Sequence, residues 1–275
     1  MADGGWRMSV APAGLSEVRS AVRHLTAAMR FCVPLASGLW LLACTKDLQL
    51  IQDPPNAAAV TTTGPWASMI YVARTDSGVI AIDLGWTGYE EAMPRVLRSL
   101  NATATDVRLV FLTHAHRDHI AAWPLVKHAT FVIGVGEVPA FTGSAGYSGW
   151  AAKIGGELNT YPQPQPGELN VVPVSRDTSI ALGRDTMFVF PIPGHTVGSV
   201  AFLFRGILFG GDAINWRPGS GFQGARPEFS DSIAQNRESL RALWSRLAED
   251  RVRIVCTAHG KCAVADAALR IRVLR

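Results

Sequence analysis

Three histidines and an aspartate crowd into one short segment, Thr113-His114-Ala115-His116-Arg117-Asp118-His119. Neutral imidazole nitrogens and anionic carboxylate oxygens are ligands that zinc takes at about 2.0–2.2 Å, so the segment reads as a metal-binding loop. The alternation of His114 and His116 lets two imidazoles converge on one ion if the loop curls. Asp118 and His119 then point toward a second ion beside it. Three shorter segments share this character: Pro193-Gly194-His195-Thr196, Gly210-Gly211-Asp212 and Ala258-His259-Gly260. Each sets a ligand-type residue beside a glycine, which permits a tight backbone bend. Five of the seven histidines in the chain fall in these segments, a concentration that scattered core or surface histidines would not produce.

The elements that must position these residues are apolar runs just upstream. Residues 107–112 read as a strand before the histidine loop, 187–192 before His195, 207–209 before Asp212 and 253–256 before His259. Every candidate ligand therefore lies just past the carboxyl end of a strand. Further strands are predicted at 67–73 and 78–84, joined by the turn Thr75-Asp76-Ser77-Gly78, and at 131–135, 171–174 and 200–204. Helical spacing marks 87–100 and a helix capped by Ser230-Asp231 that runs to Leu247, with a last helix at 263–269. Strands in groups with helices between the groups imply an α/β domain of two facing sheets with helices outside. Residues 141–168 are the least regular stretch, and a long loop inside a compact domain is usually functional or disordered.

Taken in order, the His-x-His-x-Asp-His loop, the Pro-Gly-His, the Gly-Asp and the terminal His-Gly resemble the motifs of the metallo-β-lactamase superfamily. Ile82-Asp83-Leu84-Gly85 resembles that family's first motif, and the resemblance runs from about Ala67 to the end of the chain. It implies a four-layer αββα sandwich with two zinc ions at one edge between the sheets. On that pattern His114, His116 and His195 hold one ion, Asp118, His119 and His259 hold the other, and Asp212 bridges them. A hydroxide between the metals is the implied nucleophile, with Asp118 also orienting it or taking its proton. Asp83 and Thr196 would stand behind the ligands and fix imidazole orientation.

The superfamily's chemistry is broad, so the fold does not choose the substrate. β-Lactamases usually carry Cys or Ser where Asp212 stands, and quorum-signal lactonases commonly carry Tyr where Asn215 stands. Only 16 residues follow His259, so the helical glutathione-binding domain of glyoxalase-two enzymes is expected to be absent. The expectation is hydrolysis of a small, largely apolar ester, lactone, thioester or lactam. Trp86, Phe141, Tyr147, Trp150, Asn215, Trp216 and Phe222 are the candidate pocket residues. Three alternatives stay open: an antibiotic-hydrolysing β-lactamase, a mononuclear iron sulfur dioxygenase, and a non-catalytic metal-binding envelope protein.

A net charge of +4 without long like-charge runs offers no footprint for nucleic acid. Near the N-terminus, Arg30 precedes residues 31–43, an uncharged stretch too short to span a bilayer but suited to an export signal. Leu41-Leu42-Ala43-Cys44 resembles a lipoprotein processing site, which makes Cys44 the candidate lipid attachment point, with Met29 a more ordinary start for such a signal. The expectation is a lipid-anchored envelope protein, the alternative a cytoplasmic one. Residues 1–43 would be extension and signal, 44–65 a polar tether, and 66–275 the hydrolase domain. Cys256 and Cys262 read as a buried strand thiol and an unrelated helix thiol, with a disulfide as the alternative if the chain is exported.

Overall fold

Strand β3 (Met69–Thr75) shows how the layers arise. Met69, Tyr71 and Ala73 enter one apolar cluster, while Ile70 and Val72 enter another on the opposite face. Successive strand side chains point to opposite faces, so a strand that buries both reads as an unbroken apolar run. The computed structural model describes residues 48–51, 56–64, 66–147, 149–158, 163–217, 219–247, 251–260 and 262–264. The export-signal stretch and Cys44 lie outside the described residues.

The first sheet has seven strands in chain order: β1 (Leu48–Ile51), β2 (Ala57–Thr61), β3, β4 (Gly78–Ile82), β5 (Val107–Leu112), β6 (Thr130–Gly134) and β7 (Asn170–Val174). Pairing is antiparallel from β1 to β4 and parallel from β4 to β7. The chain then forms β8 (Thr178–Leu182), β9 (Asp185–Pro191), β10 (Val200–Phe204) and β11 (Ile207–Phe209). A separate hairpin, β12 (Ile214–Arg217) with β13 (Gly221–Gly224), follows. With β14 (Ile254–Cys256) and β15 (Cys262–Val264), the second sheet has the order β15-β14-β11-β10-β9-β8.

Four α-helices lie among the described residues: α1 (Tyr89–Arg98), α2 (Val138–Phe141), α3 (Trp150–Leu158) and α4 (Ile233–Arg246). Between the sheets, Tyr71 and Phe111 of the first meet Phe209 and Phe202 of the second, edge to face. On the outer face of the first sheet, Met93, Val96 and Leu97 of α1 pack against Ile70, Val72 and Ala81. Leu240, Leu243 and Trp244 of α4 pack against Ala201, Leu203 and Leu208 on the outer face of the second. Each such side chain contributes roughly 1.5–3 kcal/mol when fully buried. The result is the expected αββα sandwich.

Several boundaries differ from the sequence reading. The stretch expected as a tether supplies β1 and β2, and Ala57, Ala58, Ala59 and Val60 are buried against β3. The expected last helix begins instead as β15, paired antiparallel to β14. The cap of α4 is Ser232, whose Oγ accepts from Gln235 N, not Ser230-Asp231. Cys256 and Cys262 are disulfide-bonded, which corrects the reading of two unrelated thiols. Among the described residues, no helix is long and apolar enough to cross a membrane.

Candidate metal centre

Because β10 is antiparallel to both β9 and β11, and β14 is parallel to β11, the strands β9, β11 and β14 all run in one direction. Their carboxyl ends meet at one end of the second sheet, so His195, Asp212 and His259 emerge together. The end of β5 meets them from the first sheet, where Val200 N–H donates to Thr113 O (2.8 Å) and Met69 N–H to Ala258 O (2.9 Å).

All seven candidate ligands converge there. His114 Nε2, His116 Nδ1 and His195 Nε2 form a triangle with edges of 3.0, 3.1 and 3.2 Å. Beside it, His259 Nε2 lies 3.0 Å from Asp118 Oδ2 and 3.4 Å from Asp212 Oδ2. His119 Nε2 lies 3.8 Å from Asp118 Oδ2 and 3.8 Å from Asp212 Oδ1. Asp212 thus aims one oxygen at His119 and the other toward His195 (3.9 Å) and His259.

The outer hydrogen bonds decide which ring nitrogens are bare. His259 Nδ1 can only donate to the carbonyl of Ala67 (2.9 Å), and His119 Nδ1 faces Asp83 Oδ2 (2.9 Å). Ser230 Oγ donates to Arg226 O, so it accepts from His195 Nδ1 (3.0 Å). Thr113 Oγ donates to Asp83 (2.8 Å) and so accepts from His114 Nδ1 (3.1 Å). In all four rings Nδ1 is turned to an outer acceptor and Nε2 points inward, an arrangement of the kind that orients metal ligands. The inward lone pairs of His114 Nε2 and His195 Nε2, 3.1 Å apart, repel each other unless a cation sits between them. His119 Nε2 and Asp212 Oδ1 are buried with no hydrogen-bond partner. The donor set fits a pair of divalent ions with nitrogen and oxygen ligands.

Electrostatics divide the rings. Burial pushes His114 well below its ordinary range and His195 down to about 3, which keeps both neutral. Burial opposes the charge of Asp118, yet His119 and His259 hold its carboxyl at about 2. Burial likewise opposes charge on His259, but Asp212 and Asp118 raise it well above the ordinary value.

The metallo-beta-lactamase superfamily model matches residues 63–259, a span that takes in every one of these ligands. The chain belongs to the metallo-beta-lactamase superfamily. Within that superfamily, a hydroxyacylglutathione hydrolase of Rhodobacter capsulatus is 27% identical over 176 residues, 63% of this chain and 57% of its own. A probable polyketide biosynthesis zinc-dependent hydrolase, BaeB of Bacillus velezensis, is 21% identical over 182 residues, 64% of this chain and 68% of its own. The chain spans 51–57% of the length of the first hydroxyacylglutathione hydrolases it matches. The solved structure of TTHA1623 in a di-iron-bound form aligns with a TM-score of 0.56 and 24% identity, over 77% of this chain and 96% of that one.

Around this superfamily centre the other candidates separate. Asp83 takes the bracing position: its carboxylate accepts from Thr113 N–H, Thr113 Oγ and His119 Nδ1. Thr196 does not hold a ligand ring. Its hydroxyl pairs with Ser199 Oγ (2.6 Å), and Ser230 holds His195 instead. A cavity of about 260 Å³ opens over the ligands and is lined by Trp86 and Tyr147 as expected. Phe141 is not in it, being packed against Phe131 under the first sheet, and Phe222 is buried beside α4. Asn215 is buried and donates to Asp212 O (2.8 Å), so it braces rather than lines. Trp216 packs on the outer cluster of the second sheet, and Trp150 is exposed outside the cavity lining.

Several functional residues escaped the sequence reading. Trp66, Phe229, Arg117 and Arg226 line the cavity. Glu137 is buried and clamps two ligand loops together, accepting from Ala115 N–H (2.8 Å) and Gly198 N–H (2.7 Å). Its signal was the pair of glycines just before it. A Cβ on Gly134 would meet Gly198 O at 1.9 Å, and one on Gly136 would meet Gly198 N at 3.1 Å.

Proposed function

We propose that the chain is a dinuclear metallohydrolase of small esters, thioesters or lactones. In this reading His114, His116 and His195 hold one zinc, Asp118, His119 and His259 hold the other, and Asp212 joins the two. The observation that carries it is the division of Asp212, with its two oxygens facing different ligand clusters at the floor of one cavity. Bound there, two zinc ions would polarise a scissile carbonyl and supply an activated water near neutral pH. The protein's own part is to hold the rings through Ala67, Asp83, Ser230 and Thr113, and to seat the substrate between Trp86 and Tyr147. Asp118, whose carboxylate lies beside His259 and His119 at the cavity floor, would orient the attacking water or take its proton.

Metal analysis of protein purified without added metal, paired with a screen of chromogenic esters, thioesters, lactones and a cephalosporin, tests this reading. About two zinc ions per chain with turnover of an acyl substrate is the expected result. Asp212→Ala should lose one ion and at least about 100-fold in turnover. Wild-type turnover with both ions retained would remove Asp212 as the bridge. A second reading puts iron in the same seats, and the di-iron form of TTHA1623 favours it. The same metal analysis separates the two.

We also propose that the chain is exported and lipid-anchored at Cys44. The Cys256–Cys262 disulfide supports an oxidising compartment, and the sequence around Cys44 supplies the anchor. Expressed in a bacterial host, wild type should partition with membranes and Cys44→Ala should not. Equal distribution of the two would end the anchor proposal.

A further inference from the structure

We propose that the cavity selects substrates carrying a carboxylate, and that Arg226 receives it. The inference rests on the hydrolase reading and names the substrate class of that same site. Two guanidinium groups, Arg117 and Arg226, line the cavity together with Asp118, Asp212, His116 and His259. Their situations differ. Arg117 lies over the faces of Trp86 and Tyr147, 5.5 and 5.8 Å from the ring centroids, and stiffens that wall.

Arg226 has no carboxylate within ion-pair distance among the described residues, and its Nε is buried without an acceptor. A cation half withdrawn from water with an orphaned N–H is costly, so its persistence asks for an explanation. The two carboxylates that share the cavity are already committed, since Asp118 and Asp212 both face His259 and the metal seats. Where Arg226 lines the cavity, its unneutralised charge is open to an incoming anion.

The arginine is also fixed relative to the reacting centre. Its carbonyl accepts from Ser230 Oγ (2.6 Å) and Phe229 N–H (3.2 Å), and the preceding Ala225 N–H donates to Asn236 Oδ1 (3.1 Å). Ser230 in turn holds the His195 ring. Arg226 and a candidate metal ligand therefore belong to one braced unit, and the spacing between anion seat and scissile bond is set by the fold. The Nη1–Nη2 end of a guanidinium offers two N–H groups that match a carboxylate. Beside it, Trp66 and Phe229 pack edge to face with centroids 5.5 Å apart and give the wall an apolar surface. The fitted substrate has a short apolar body, an acyl bond at the metals and a carboxylate at Arg226.

The zinc-loaded full chain is tested with two chromogenic aryl thioesters of equal acyl length, one ending in methyl and the other in carboxylate. Wild type should prefer the carboxylate by about tenfold or more in kcat/KM, chiefly through KM. In Arg226→Gln the ratio should fall toward one. Arg226→Lys, which keeps the charge but loses the fork, should retain part of it. A wild type without preference, or a preference that survives in Arg226→Gln, overturns the proposal while leaving the hydrolase reading intact. If neither thioester turns over, the thioester part of the hydrolase reading fails, and a binding experiment still decides. Adipate should then quench the fluorescence of Trp66 and Trp86 at lower concentration than hexanoate in wild type, and not in Arg226→Gln. Equal affinities for the two acids would end the idea.

Discussion

Asp83 serves two neighbours with one carboxylate, and it does so from a left-handed backbone position at φ 52°. Such a conformation costs about 1–3 kcal/mol in a residue other than glycine, and it persists where the surroundings over-determine it. Here the surroundings are Thr113, whose N–H and hydroxyl both donate to Asp83, and His119, whose Nδ1 does the same. Asp83→Asn keeps the size but replaces one acceptor by a donor that faces N–H or O–H. His119 would then lose the partner that fixes its tautomer. The expected result is a folded protein whose metal affinity falls about 10–100-fold, read by competition with a chelator. Unchanged affinity would show that Asp83 braces only the strand end. The sequence already pointed to this residue through the resemblance of Ile82-Asp83-Leu84-Gly85 to the family's first motif. It did not point to Glu137 or Ser230, whose roles depend on which loops meet in space.

At the scale of elements, the loop between β9 and β10 explains why Pro193-Gly194-His195 has a glycine in the middle. Gly194 has φ 135°, and a Cβ there would meet the backbone N of Asn236 in α4 at 2.1 Å. The loop is stitched to that helix by Ser232 N–H to Gly194 O (2.9 Å), Asp231 N–H to His195 O (3.0 Å) and Ser239 Oγ to Pro193 O (2.7 Å). Gly194→Ala must push α4 away from the loop that carries His195. A loss of roughly 3 kcal/mol or more in stability is expected, with weaker metal binding in whatever folds. Denaturant unfolding and metal content check both, and a variant as stable as wild type would refute the close approach.

The same scale shows why some elements were legible and others not. β3, β4, β5, β10 and β11 bury both faces, so they announce themselves as apolar runs, and two of them, β5 and β11, lead directly into candidate ligands. β2 is an alanine run next to Asp53-Pro54-Pro55, and small residues carry little strand signal even when, as here, they are buried. β15 starts a segment whose alanine-rich composition favours a helix, but pairing with β14 and the bond from Cys262 to Cys256 override local preference. Aromatic residues in the sequence look alike whether they line a cavity or fill a core. Trp86 and Phe222 could be told apart only after folding.

For the molecule as a whole, the centre joins the two halves of the sandwich. His114, His116, Asp118 and His119 follow β5 of the first sheet, whereas His195, Asp212 and His259 follow strands of the second. Metal binding is therefore linked to the packing of one sheet on the other. Within this arrangement His259 sits on the short connection between β14 and β15. The Cys256–Cys262 bond closes that connection into a ring around His259. Closing a loop this short contributes about 2 kcal/mol by restricting the unfolded chain. In a domain of this size that corresponds to a fall in Tm of roughly 4–8 °C when the bond is absent. The paired substitution Cys256→Ser with Cys262→Ser should show that fall in calorimetry. It should also weaken metal binding at the Asp118, His119 and His259 cluster more than at the proposed seat of His114, His116 and His195, because none of the latter three lies in the ring. A two-step chelator titration reads the two affinities separately. Equal weakening of both, or of neither, would mean that the disulfide secures the second sheet without reaching the centre.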